Sequence, residues 1–570
     1  MTQLLTNSPP RETSVTPNKP FPATLRWVPV TIGVGLLLAL VAAALWKAVP
    51  AAGGRFVYML DDAYIHLAIA KNLAAHGVWG VTRFQFGSAS SSPLWTLLLA
   101  GIFRVLGPHE LVPLIINLIV GIGVVLAAGR LLRRLQVGTS LAMVALVALV
   151  LAVPLPTLIF SGMEHTLHTL LCLLFLDASL TLLSAPSAGR RVWAVSLLLA
   201  ALLPLARYES AFLIAVVGGV LLLQKRYTGL LLLAFASLVP ICAFGLYSLH
   251  NGSYFLPNSV LLKASSATSQ MQQPFARRLI LSAIEMPHCF FLMVLCGGHT
   301  ALSVLLKRGR EPQVLVGAVI TAMLALYMQF AGGVSSLRYE GFAIALGIVA
   351  LAALWGTLLD PKAALSEEKV QRVLARLSPG RVTLVAAVIL AGLFGGRVSE
   401  ALEKTVLATT NIAQQQVQMA LFLHKYYKSS TIAANDIGAI NYFNDLHCLD
   451  LWGLNSIQIC REKRDGIFDR DRIDYWASRQ DVEIAIVYDS WYREGPLSGI
   501  RSGRPDGLPA SWVKVATWKI PNNVICGDSV VTFYAVRRDA AERLRACLRE
   551  FDAELPPAVI SRHFDLPGSS

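Results

Sequence analysis

Two adjacent carboxylates open the segment Asp61-Asp62-Ala63-Tyr64-Ile65-His66, which runs on through Lys71 and Asn72 to Gly77. Tyr64, Ile65, Ala68, Ile69 and Leu73 recur at helical spacing. This predicts an amphipathic helix lying on a membrane surface, started by Asp61 or Asp62 and closed by Gly77. A single Asp at such a start is ordinarily an N-cap, worth about 0.5–2 kcal/mol. One cap uses one carboxylate, and a second at a lipid interface still carries a desolvation cost. The pair is therefore a candidate for chemistry, with either residue open.

Other reactive or ion-binding side chains are spread along the chain. Glu164, Arg207, Glu209, Arg338 and Glu340 stand near the ends of apolar runs, where they either staple helices as ion pairs or line a site. His165 and His168 fall at i, i+3 on one helix face, a spacing that packing or hydrogen bonding explains more simply than a metal. Asn435-Asp436 follows a strand-like run and suits a turn for backbone reasons. No CxxC spacing occurs among the eight cysteines. Cys448, Cys460, Cys526 and Cys547 fall in the polar C-terminal part, where one disulfide involving Cys448, Cys460 or Cys526 is expected if that part faces an oxidising compartment.

The elements that must position these groups are membrane helices. The chain is 55% hydrophobic and 15% charged over 570 residues, with a mean hydropathy of +0.57, values that make lipid the expected solvent. Its net charge of +14 is carried largely in short loops between apolar runs, which fits membrane topology and excludes nucleic acid as the partner. Apolar runs start near Trp27, Leu111, Leu141, Leu167, Val192, Ala211, Leu230, Leu279, Val314, Phe342 and Val382, about eleven transmembrane helices. Alternation puts Arg130, Arg133 and Arg134, then Arg190 and Arg191, Lys225 and Arg226, Lys307, Arg308 and Arg310, and the stretch Lys362 to Arg381 on the cytoplasmic side. One assumption carries this count: Pro93 to Leu106, short and bearing Arg104, must not cross.

The expected organisation is a disordered cytoplasmic tail over 1–25, a transmembrane domain over 26–397 with juxtamembrane helices at about 61–106, and a C-terminal extracytoplasmic α/β domain over 398–570. Helical patterning covers Asn411 to Tyr427, and strand-like runs follow at Thr431 to Ala434, Cys448 to Trp452, Val482 to Tyr488, Trp512 to Trp518 and Val530 to Val536.

The stretch DDAYIHLAIAKN with the following SSPLW resembles the first external loop of polytopic GT-C superfamily glycosyltransferases, in particular the bacterial arabinofuranosyltransferase B-like group. Ser161-Gly162-Met163-Glu164, Ala206-Arg207-Tyr208-Glu209, Leu256-Pro257-Asn258-Ser259 ending in Lys263, and Arg338-Tyr339 are similar to further segments of that group, in the same order. So are Asn435-Asp436-Ile437-Gly438-Ala439-Ile440 and Asp450-Leu451-Trp452-Gly453-Leu454. The resemblance implies a bacterial inner-membrane enzyme of GT-C type, multi-pass, with a periplasmic C-terminal domain. It would transfer a sugar, with inversion, from a polyprenyl-phosphate-linked donor to a glycan, lipid or protein acceptor. In that light Asp61 or Asp62 is the base that takes the acceptor proton. Lys263, Arg207 and Arg338 would neutralise the leaving phosphate, and His66, Glu164, Glu209, Asn258 and Tyr339 would contact substrate. No cofactor is required by this chemistry, though Asp61, Asp62 and His66 would be the ligands of a divalent cation if one is used. Trp452, Trp476 and Trp491 are either core or stacking surfaces for sugar rings. The alternatives are a lipid-linked sugar transporter or flippase, which needs polar groups at mid-membrane depth, and a non-catalytic envelope assembly protein.

Overall fold

A computed structural model of the chain describes residues 27–184, 189–262, 274–305, 311–331, 337–357, 378–493 and 507–566. Its first part is a bundle of helices. These are α1 (Val28–Ala51), α2 (Asp61–His76), α3 (Pro93–Leu106), α4 (Val112–Arg134), α5 (Thr139–Ala152), α6 (Leu155–Phe160), α7 (His165–Ser184), α8 (Arg190–Ala206), α9 (Ala211–Leu223), α10 (Tyr227–His250), α11 (Phe275–Glu285), α12 (Pro287–Leu305), α13 (Pro312–Phe330), α14 (Gly341–Thr357) and α15 (Pro379–Gln414). Among the described residues, eight helical segments are long and apolar enough to cross a membrane, and α3, α9 and α14 are shorter apolar helices. Each apolar run read from the sequence is helical. The run near Leu279 differs from expectation: it begins as the short amphipathic α11, and Pro287, which cannot continue a helix but starts one well, opens the apolar α12.

Helix α3 has 14 residues, about 21 Å at 1.5 Å per residue, too short for a hydrocarbon core of about 30 Å. Contacts on either side of it show that the chain returns to the end of the bundle it left. The Tyr58 hydroxyl, just past α1, donates to the Glu110 carbonyl (2.5 Å) and accepts from the Leu114 amide (3.0 Å), at the start of α4. The bundle therefore has two distinct ends. At one, Arg130 and Arg134 pair with Asp177 (3.0 and 2.5 Å), Gln224 and Arg226 donate to carbonyls at the end of α7, and Gln313 donates to the Leu135 carbonyl. At the other, α2, the loops after α6, α8, α10 and α13, and the C-terminal domain come together. The loop containing Lys307, Arg308 and Arg310, and most of the stretch Lys362 to Arg381, lie outside the described residues.

Glu340, open in the sequence between stapling helices and lining a site, pairs with Arg397 of α15 (3.1 Å), which also donates to the Ala152 carbonyl (2.9 Å). This staple joins three elements and keeps Glu340 out of the site.

Helix α15 is continuous over 36 residues, about 54 Å, and so passes straight through position 398, where the sequence reading placed the domain boundary. Its apolar stretch runs into a polar helical stretch straight across Gly395-Gly396, a breaker signal that the helix overrides. A turn at Gln415 leads into α16 (Gln416–Tyr426) and then a six-stranded sheet. The strands are β1 (Thr431–Ala434), β2 (His447–Asp450), β3 (Ile484–Val487), β4 (Val513–Lys519), β5 (Val530–Ala535) and β6 (Ile560–His563), in the order β2-β1-β3-β5-β4-β6. β2, β1 and β3 are parallel and the other pairings antiparallel. The sequence reading missed β6, whose residues Ile560-Ser561-Arg562-His563 show no apolar alternation and which forms an exposed edge of the sheet. α16 lays Phe422 against Trp518, Phe533 and Phe551 to form the domain core. The expected disulfide does not form: all eight cysteines are free, with Cys448 on β2, Cys460 on a helix and Cys526 in a loop beside Gln416.

The α/β domain docks on α2 through the short helix α17 (Gly438–Tyr442). The Asp61 carboxylate accepts the amide N–H of Gly438 on one oxygen (2.7 Å) and that of Ala439 on the other (2.8 Å). Lys71 Nζ, nearly three turns along α2, donates to the carbonyls of Asn441, Tyr442 and Asn444 (3.1, 2.9 and 3.1 Å). An anion at the N-terminus and a cation at the C-terminus of α17 both match its dipole and satisfy its orphan backbone groups. With α3 on one side and α17 on the other, α2 is buried at successive positions from Ala63 to Ala70, so it is not the surface amphipathic helix that its spacing predicts. Lys71→Met keeps the apolar stem but removes the donors, and is expected to cost about 1–2 kcal/mol, read as a lower thermal midpoint of the purified protein in detergent.

Candidate active site

A cavity of about 340 Å³ lies where α2, the loops at that end of the bundle and the α/β domain meet. Asp61, Asp62 and His66 reach it from α2, Met163 and Arg207 from two interhelical loops, Arg338 and Tyr339 from the loop before α14. Across from these stand Asp436, Trp452 and Trp491 of the α/β domain. Those three follow β1, β2 and β3 at their carboxyl ends, the edge of an α/β sheet at which crevices open when successive strands turn to opposite sides.

The two aspartates have different surroundings. Asp61 is held by two amide N–H groups as described, and burial, with Asp436 close by, pushes its carboxyl above the usual range while those N–H groups pull it down. Having a donor on each oxygen is the arrangement that an ionised carboxylate satisfies best. Asp62 points into the cavity with 40% of its side chain exposed and pairs with Arg338 at 2.9 Å. Arg338 in turn lies over the Tyr339 ring, 5.0 Å from its centroid, and donates to its hydroxyl. Asp62 is therefore the solvent-accessible carboxylate beside a cation, and Asp61 is the interdomain tether.

Arg207 borders the cavity, but its guanidinium is engaged from behind. It makes a two-pronged contact with Glu209 (3.1 and 2.6 Å) and a further one with Glu164 (2.7 Å), and lies 4.9 Å from the Tyr339 ring centroid. Glu164 is fully buried and Glu209 is the bidentate partner, so both hold Arg207 rather than line the cavity. His66 shares its Nδ1 with Thr96 (3.0 Å) and sets Nε2 3.7 Å from Glu164. Burial is the main cause that lowers its pKa, which leaves it neutral near pH 7. Asn258, expected to touch substrate, is fully buried and ties its loop to Ser88 and to the Leu454 carbonyl (3.0 Å each). Its neighbour Ser259 reaches the cavity instead. Lys263 lies outside the described residues. Asp61, Asp62 and His66 all line the cavity, but each is engaged by a different partner. Among the described residues, no group of three or more His, Cys, Asp or Glu side chains is placed to hold a metal ion.

Sequence reasoning named Trp452 and Trp491 as core or sugar-stacking residues but gave Asp436 no place in the site. Asp436 accepts from the Tyr488 hydroxyl (2.5 Å) and from Gln416 Nε2 (2.8 Å) and faces the cavity; its signals were the Asn-Asp pair directly after a strand and its place in a segment of the resemblance. The neighbouring Asn435 is the turn residue of the two, accepting the Tyr488 amide and donating to the Tyr492 hydroxyl. Trp476 lies away from the cavity and donates to Glu462, whereas Trp452 and Trp491 are half-buried in its wall.

Comparisons with known proteins fit this architecture. A family model described as a domain of unknown function (DUF8728) matches residues 410–534, which run from the end of α15 through α16 and strands β1 to β5, without the edge strand β6. No curated protein matches the chain in sequence. Among solved structures, the chain is similar to ArnT from Cupriavidus metallidurans bound to undecaprenyl phosphate, with 15% identity, a TM-score of 0.51, and 89% of this chain and 99% of that one covered. It is likewise similar to the Archaeoglobus fulgidus oligosaccharyltransferase in the apo form, with 12% identity, a TM-score of 0.51, and coverage of 94% and 79%. The chain has the GT-C fold, a polytopic helical membrane domain followed by a smaller domain that contains the sheet. These matches do not single out the arabinofuranosyltransferase B-like group within that fold.

Proposed function

We propose that this protein is a membrane glycosyltransferase that moves a sugar from a polyprenyl-phosphate carrier to an acceptor hydroxyl, at the end of the bundle that holds the α/β domain. The observation that carries the reading is the Asp62–Arg338 pair, 2.9 Å apart, in a cavity closed by two domains of a GT-C fold. The undecaprenyl phosphate of the ArnT structure supports a lipid phosphate as the carrier.

The chemistry follows from the pair. The acceptor oxygen attacks the anomeric carbon, the bond from that carbon to the phosphate oxygen breaks, and its electrons leave on the phosphate. Arg338 offers the planar fork of donors that a phosphate binds best. As Arg338 turns to the phosphate, Asp62 loses its counterion and becomes free to take the acceptor proton. Arg207, its charge offset by Glu164 and Glu209, braces the cavity wall behind Tyr339 and leaves Arg338 as the cation offered to the phosphate. Attack from the face opposite the phosphate inverts the anomeric centre. The catalytic end would face the periplasm and the arginine-bearing end the cytoplasm, as the positive-inside rule asks.

The test uses the full chain in lipid nanodiscs, supplied with polyprenyl-phosphate-linked sugars labelled in the sugar. Release of free polyprenyl phosphate together with label in a water-soluble or lipid acceptor is expected for at least one donor. Transport of intact labelled donor across sealed vesicles, without release of polyprenyl phosphate, would sink the reading.

A further inference from the structure

We infer that the α/β domain carries the acceptor subsite and that the acceptor is a carbohydrate ring, not a peptide side chain; this deepens the transferase reading and rests on it. Three features at the carboxyl ends of the parallel strands point to a sugar. First, Trp491 and Trp452 stand side by side in the cavity wall, their ring centroids 5.0 Å apart at 60°. Indole faces match the apolar C–H faces of a pyranose or furanose, and an aromatic pair set at an angle cradles one ring. Second, both rings are fixed before any ligand arrives. Trp491 Nε1 donates to the Gly527 carbonyl (3.1 Å), and a side chain at position 527 would run into its ring at 2.5 Å. Lys463 donates to the Trp452 carbonyl (2.6 Å) with its ammonium 4.4 Å from the Trp452 ring centroid. Core tryptophans of this chain, Trp95 and Trp518, are fully buried, whereas Trp452 and Trp491 pack on the core with part of each ring left open to the cavity. Third, Asp436 lies across from Asp62 with one oxygen taken by Tyr488 and Gln416, a carboxylate held rigidly where a sugar hydroxyl would need an acceptor.

These features place a polyhydroxylated ring against the tryptophans, with one hydroxyl on Asp436 and another turned toward Asp62. The inference separates two roles that the cavity combines: the bundle side handles the charged leaving group and the sheet side handles the neutral nucleophile.

The experiment measures binding without any donor. Full-length protein in nanodiscs is titrated with a panel of methyl glycosides, hexopyranosides and pentofuranosides, up to 50 mM, and with short Ser- and Asn-containing peptides. Ligand contact is read by saturation-transfer NMR and by tryptophan fluorescence. At least one glycoside is expected to bind, and Trp491→Leu, Trp452→Leu and Asp436→Asn are each expected to weaken it at least 10-fold. Trp491→Tyr, which retains an aromatic face, should weaken it less than threefold, and Trp476→Phe, away from the cavity, should leave it unchanged. Equal binding to all variants, or peptide binding with no glycoside binding, overturns the inference, as does the absence of any glycoside signal. Because donor is absent, glycoside binding by a protein that transfers no sugar counts against the transferase reading alone.

Discussion

Asp62→Asn is expected to lower sugar transfer by about 10²–10⁴-fold, the range in which loss of a positioned general base falls. The melting midpoint should stay near that of the parent, because Asp62 is 40% exposed and Asn retains a polar partner for Arg338. Asp61→Asn should behave differently although it lies next door. Its new amide N–H₂ would face one of the two N–H donors of Gly438 and Ala439, leaving a buried donor unsatisfied at a cost of about 1–3 kcal/mol. Its main effect is then a lower melting midpoint, with activity lost in proportion to domain release. Steady-state transfer kinetics and thermal unfolding on both variants separate the roles. If Asp61→Asn abolished transfer with the fold intact while Asp62→Asn did not, the assignment of the base would be reversed.

Gly438→Ala is expected to undo the docking of the α/β domain altogether. A Cβ at this position would sit 2.1 Å from the Asp61 main-chain carbonyl oxygen and 2.7 Å from its carboxyl carbon. Overpacking of this kind costs about 1–3 kcal/mol or more, and here it also breaks the two hydrogen bonds it displaces. Limited proteolysis should cut between the domains at protease levels that leave the parent whole, and transfer should fall with it. Since the nearest atom belongs to the backbone, no shortening of residue 61 relieves the clash. A double variant Asp61→Ala/Gly438→Ala that recovered protease resistance would show that the side chain, not the backbone, sets the approach.

Much of this was legible in the sequence because membrane constraints are local. Twenty apolar residues with basic flanks specify a helix wherever they occur, so the runs, the non-crossing Pro93–Leu106 segment and the Asp61–Gly77 helix could be read directly. The strands at Thr431, Val513 and Val530 followed from alternation in the same way. Cavity residues Asp61, Asp62, His66, Arg207, Arg338 and Tyr339 were all named from short segments. What could not be read was the partner of each. Asp61 and Asp62 are equivalent in sequence, and only a contact 377 residues away makes one a tether and leaves the other open. Glu340 stayed open between a staple and a site because Arg397 is 57 positions further on. Asn258 carried the mark of a binding residue because a buried asparagine that joins two loops and one that touches a ligand have the same side chain.

The pairing of α2 with the far end of the chain also orders events during synthesis. Asp61 and Lys71 emerge hundreds of residues before Gly438 and Asn444, and a chain of that length closes a loop only at considerable entropic expense. Until the α/β domain has formed, the cavity lacks its second wall and Asp61 and Lys71 lack the peptide groups they hold. A nascent chain stopped before residue 437 would therefore sit in the bilayer with its helices in place and no competent site. On the proposed function, transfer activity would therefore require the complete α/β domain and be absent from shorter nascent chains.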